Sequence, residues 1–206
     1  MLKQAGRIRW VHQGAAALTA LLLTASVQAA TVTFKTSEPS GRVLDSVVVT
    51  LLPVGKVALP PPRPGSIQQV KKTFVPLVSV VQTGAAVEFP NNDTVRHHVY
   101  SFSASKVFEL KLYAGTPARP VVFDKPGVVV LGCNIHDKMV AYIMVADTPW
   151  FAVSGDDGMA KIADLPPGDY MVQTWHPRRL GMADLPPRPI RVSTDLTESL
   201  TIDLKP

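Results

Sequence analysis

The sequence predicts an all-β protein. Short runs rich in Val, Ile, Thr and aromatic residues recur along it, each four to nine residues long and bounded by Gly, Pro, Asn or Asp. Nineteen prolines and thirteen glycines in 206 residues supply the turns between them. Beyond the first thirty residues no apolar periodicity near 3.6 is sustained, so packed sheets, and most simply sandwiches, are expected in place of helices.

The first 29 residues are read apart from the fold. "MLKQAGRIRWVHQ" carries Lys3, Arg7 and Arg9, "GAAALTALLLTASV" is apolar, and Val27 and Ala29 are small residues of the kind that precede a cleavage point. That order reads as a secretory leader cut after Ala29, and its apolar run is shorter than the roughly 20 residues of a membrane-spanning helix. The expected mature protein is therefore exported, periplasmic in a bacterium, with no membrane span. Removing the leader leaves 18 basic against 16 acidic residues, a net charge of +2 in place of +5. Lys71, Lys72, Lys106, Lys111, Arg178 and Arg179 are scattered along the remainder. No basic stripe marks a nucleic-acid surface.

The strands are expected in the order "TVTFKT", "SVVVTLLPV", "FVPLVSVV", "AAVEF", "HHVYSFS", "PVVFD", "GVVVLG", "VAYIMVA", a strand within "SGDDGMAKIADLPPG", "YMVQTW", "PIRVST" and "SLTIDL". "ALPPPRPGS" interrupts them as an extended, semi-rigid connector. "SGDDG" reads as a turn, and no Gly-x-Ser-x-Gly elbow accompanies Ser101, Ser103 or Ser105. Nothing points to a hydrolase, and a carrier is expected instead of an enzyme.

Cys133 is the only cysteine. In an oxidising compartment an unpaired cysteine is a free thiol, an intermolecular bridge, a buried apolar residue or a metal ligand. "CNIHDKM" lies between two expected strands, so Cys133, His136 and Met139 share one short loop. A further donor is available from "VEFPNNDTVRHHVYSFS", where an Asn/Asp turn leads into a strand that opens at His97. Side chains alternate along a strand, so His97 and His98 face opposite ways and one of them joins the cluster easily. Two imidazoles, a thiolate and a weak thioether form the donor set that suits copper cycling between Cu(I) and Cu(II). Zinc fits less well, since structural sites use more strong donors and catalytic sites keep a water position.

These residues carry a resemblance. "PGVVVLGC", "HHV" and the C-x2-H-x2-M spacing of "CNIHDKM" resemble the cupredoxins, the small blue-copper proteins, and most of all amicyanin. The resemblance implies a single type 1 copper held by His97, Cys133, His136 and Met139. It places His98, Asn91 and Asn92 behind the ligands, with the His98 N–H donating to the cysteine sulfur. It also implies one-electron transfer to or from a redox partner protein, an amine dehydrogenase or a c-type cytochrome. Ile135, Asp137 and Lys138 stand where the family has an apolar collar around the exposed histidine. The whole chain is also similar to exported proteins labelled methylamine utilization proteins. Copper delivery or enzyme maturation without redox turnover is the alternative that the same ligands allow.

The flanks resemble a second family. "TVTFKTSEPSGRVLDSVVVTLLP" and "FAVSGDDGMAKIADLPPGDYMVQTWHP" are similar to the carboxypeptidase regulatory-like, transthyretin-related sandwich. The resemblance implies a discontinuous unit, residues 31–57 plus 148–206, a connector over 58–65, and a cupredoxin Greek-key sandwich over 66–147 inserted in it or joined to it.

Overall fold

The computed structural model describes residues 28–205, and they form an all-β protein. The expected leader falls almost wholly on residues 1–27, outside the described residues. Among the described residues no helix is long and apolar enough to cross a membrane.

The described residues open with β1 (Ala30–Ser37) and β2 (Val48–Pro53). They continue through β3 (Gly65–Ser66), β4 (Gln68–Val70), β5 (Thr73–Val75), β6 (Val78–Gln82), β7 (Ala85–Glu88), β8 (His97–Ser103), β9 (Lys106–Tyr113), β10 (Val121–Phe123), β11 (Gly127–Gly132) and β12 (Val140–Ala146). They close with β13 (Phe151–Val153), β14 (Met159–Leu165), β15 (Gly168–Trp175), β16 (Arg188–Val192) and β17 (Leu196–Thr201).

Strands from the two ends of the chain pair with each other. One sheet runs β14-β1-β17 and another β13-β2-β15-β16. Their inward side chains, among them Val32, Phe34, Leu51, Ile162, Leu165 and Tyr170, make one core. The middle of the chain builds a five-stranded sheet, β6-β12-β11-β8-β9, a three-stranded sheet, β10-β7-β3, and the β4-β5 hairpin. Its core gathers Ile67, Phe89, Val99, Phe123, Leu131 and Ile143, together with Cys133 and Met139.

A seam joins the cores. Val48, Val78 and Trp175 are buried there beside Val80, Val128, Tyr142 and Met144, and the Tyr142 and Trp175 rings lie 5.7 Å apart. This explains the unbroken apolar run of β12. Ala141, Ile143 and Val145 face the inner core while Tyr142 and Met144 face the seam, so both faces of the strand are covered.

Three expectations change in detail. "FVPLVSVV" is two strands, β5 and β6, because Pro76 has no N–H to continue a ladder. The connector expected over 58–65 is free of strand only as far as Pro64, since Gly65 already pairs with Val87. The unexpected β9, "KVFELKLY", is the edge of the five-stranded sheet. Phe108, Leu110 and Tyr113 pack inward while Val107, Glu109 and Lys111 stay exposed, and charge on the solvent face of an edge strand hides its strand character.

Candidate metal centre

The loop that holds Cys133, His136 and Met139 is set by its flanking strands. β11 and β12 pair antiparallel from Gly127↔Val145 to Gly132↔Val140, so residues 133–139 must reverse the chain within one short excursion. The Met139 N–H donates to the His136 carbonyl at 2.8 Å and tightens it. Cys133 and Met139 are buried in the inner core, and His136 is partly buried at its rim.

His97 arrives from a neighbouring strand. β8 pairs with β11 at Tyr100↔Gly132, which carries the start of β8 to the loop. His97 is fully buried, with Nδ1 3.9 Å from Cys133 Sγ. Its ring lies 5.0 Å from that of His136, centroid to centroid. One donor atom from each of His97, Cys133 and His136 falls within 4.8 Å of the other two. Donors that share one ion at about 2.0–2.3 Å stand roughly 3.5–4 Å apart, so a small closure brings all three into contact with it.

The donor atoms fit a soft or borderline cation. His136 Nδ1 is buried without a hydrogen-bond partner, and a buried imidazole nitrogen left free is costly unless something binds it. Imidazole and thiol, with Met139 buried in the same core as Cys133, match copper better than a hard oxygen-seeking ion.

His97 Nε2 lies 2.7 Å from Asp93 Oδ2. Asp93 also accepts the backbone N–H groups of Lys71 and Lys72. Burial alone would raise the Asp93 pKa, but the Lys72 N–H, His97 and the Lys71 N–H together hold it below the usual carboxylate range. Behind His97, burial pushes the Tyr113 phenol up to about 12, against the hydrogen bond from Gln69 and with a small contribution from Cys133. Its hydroxyl donates to the Phe89 carbonyl at 2.6 Å.

The structure sorts the remaining expected residues. His98 points away from the cluster, as alternation requires, with its ring 5.5 Å from that of Tyr100 and Nε2 2.9 Å from Glu109 Oε1. Both His98 ring nitrogens lack an aligned hydrogen bond. Among the described hydrogen bonds the sulfur's partner is His97 Nδ1, and none runs to it from the His98 N–H. Asn91 and Asn92 act on the loop. The Asn91 side chain donates to the Val95 and Tyr113 carbonyls, each at 2.9 Å, and the Asn92 N–H donates to the Gln69 carbonyl at 2.9 Å. Asp93 is the residue that sequence reasoning passed over. Its only signal was an acidic residue four positions before His97 in the same Asn/Asp turn.

No protein-family model matches the chain, and no curated protein matches it. Among solved structures it is similar to a Cu-containing nitrite reductase (NirK) from Thermus scotoductus SA-01, with 29% identity over 47% of this chain and a TM-score of 0.38. The match spans 25% of that enzyme's length. It is also similar to a purple cupredoxin from Nitrosopumilus maritimus, with 22% identity, 40% of this chain, 99% of that one and a TM-score of 0.35. A pseudoazurin from Sinorhizobium meliltoi matches at 21% identity over 42% of this chain and 76% of its own, with a TM-score of 0.34.

Proposed function

We propose that the protein is a mononuclear copper protein of cupredoxin type that carries single electrons between redox partners, with His97, Cys133 and His136 as ligands and Met139 as a weak fourth donor. The observation that carries this reading is the convergence of two imidazoles and the lone thiol within 4.8 Å at the edge of a closed core. Bound copper would supply a one-electron couple between Cu(II) and Cu(I).

The chain's own part is to hold and to shield. β11 and β12 fix the loop at both ends, β8 delivers His97 from the strand beside β11, and Phe89, Leu131 and Ile143 share the core that excludes water from Cys133 and Met139. His136 alone reaches the partly exposed rim, beside exposed Ile135, Asp137 and Lys138, and is the edge at which a partner protein would exchange an electron. An amine dehydrogenase or a c-type cytochrome suits that role. The leader-like residues 1–29 support export to a periplasm. The shared core of residues 30–51 and 150–204 supports a discontinuous flanking sandwich into which residues 66–147 are inserted as the copper domain.

Purified protein loaded with Cu(II) is expected to show an intense visible band that ascorbate bleaches and air restores. In Cys133→Ser the band is expected to vanish, because the colour requires thiolate bonded to copper. Persistence of the band in that variant refutes the assignment. Transfer of Cu(I) to an acceptor with no reversible couple would favour copper delivery instead.

A further inference from the structure

We propose that Asp93 is the positioning residue of the metal centre: it accepts the Nε2–H of His97, which turns an unprotonated Nδ1 toward Cys133, and the β4–β5 hairpin holds the carboxylate in place to do so. The tautomer follows from the hydrogen-bond geometry with an ionised carboxylate and a neutral ring, while its effect on a metal rests on the copper reading above.

The hairpin supplies the anchor. Its two-residue turn, Lys71 and Lys72, has φ of 51° and 61°, the left-handed pair that such turns require and that Asn-Gly usually fills. Lysine is poorly suited there. The turn's two consecutive N–H groups reach one carboxylate, Lys71 on Oδ1 and Lys72 on Oδ2 at 2.8 Å, an arrangement that favours an anion. Asp93 thus stabilises a turn whose residues do not favour it, and the turn fixes Asp93.

Two backbone donors and an ionised carboxylate then fix the proton on His97. The backbone N–H groups can only donate, and the ionised carboxylate can only accept. His97 Nε2, 2.7 Å from Oδ2, must carry a proton to make its contact. In the neutral ring Nδ1 is then the lone pair, and it is the nitrogen 3.9 Å from Sγ. Asparagine offers one acceptor oxygen for three donors and would set its own N–H2 against one of them. A negative charge held against a ligand ring also favours the more positive ion, so Asp93 lowers the reduction potential.

The test is 15N-edited NMR of the histidines in the metal-free protein, followed by copper titration and voltammetry. Wild-type His97 is expected as the Nε2–H tautomer alone. Asp93→Ala is expected to populate the Nδ1–H form, to weaken copper binding about 10- to 100-fold and to raise the potential. A wild-type proton on Nδ1, or an Asp93→Ala variant whose tautomer is unchanged, overturns the proposal. Should Asp93→Ala not fold, Asp93→Asn serves, and an unchanged potential in it counts against the proposal. A locked Nε2–H tautomer in a protein that takes up no copper would support this role for Asp93 while sinking the electron-carrier reading.

Discussion

Gly132 precedes the lone thiol, and its missing side chain has a use. A Cβ there would stand 2.7 Å from Cζ and 2.8 Å from the hydroxyl oxygen of Tyr100, whose ring covers the strand from β8. Gly132→Ala is expected to lose about 1–3 kcal/mol by overpacking, read from denaturant midpoints; an unchanged midpoint means that the ring swings away freely. His176 makes a separate prediction. It is buried, and its Nδ1 accepts the Arg178 N–H at 3.1 Å. Burial lowers its pKa and so does Arg178, against the opposing pull of Asp45 and Glu38. The unfolded chain therefore takes up the proton first as pH falls. This contribution to stability is complete above the unfolded value near 6.5 and declines as pH drops through it toward the lower folded value. Wild type should lose more stability than His176→Gln between about pH 7.5 and pH 5.5, and equal losses would contradict the shift. Single-residue chemistry was only partly legible. Alternation separates His97 from His98 on paper, but no sequence rule brings the Lys71–Lys72 turn to Asp93, because that contact joins segments more than twenty residues apart.

At the level of elements, the loop between β11 and β12 is the part the sequence states most clearly. A valine run that begins at Pro-Gly, a return strand of equal hydrophobicity and seven residues between them leave one arrangement. β9 is the counterexample. Its charges alternate with apolar residues because only one face is covered, so it reads as a polar connection until β8 is seen beside it. The loop also carries Met139, the weak fourth donor of the proposed ligand set. On that proposal Met139→Leu, which preserves burial, should retain copper and raise the potential. Voltammetry decides this, and an unmoved potential removes Met139 from the ligand set. Ile143 lies fully buried on the inner face of β12, and Ile143→Ala is expected to cost about 2–5 kcal/mol.

For the whole molecule, the two cores meet along a seam centred on Trp175, which is buried against Val48, Val78 and Tyr142. Composition suggested two units, yet the seam was not visible, since Trp175 in "TWHP" looks the same whether it fills its own sandwich or contacts another. Trp175→Ala is expected to cost about 3–5 kcal/mol and to leave the copper spectrum unaltered, because the seam is built on the opposite face of β12 from the core that holds Cys133. A changed spectrum would show the centre to depend on the flanking sheets β14-β1-β17 and β13-β2-β15-β16. The central claim is ligation, and X-ray absorption at the copper edge of the loaded protein tests it most directly. One short sulfur and two nitrogen neighbours are expected, with the sulfur gone in Cys133→Ser; a shell of nitrogen and oxygen alone in the wild-type protein would rule the ligand set out.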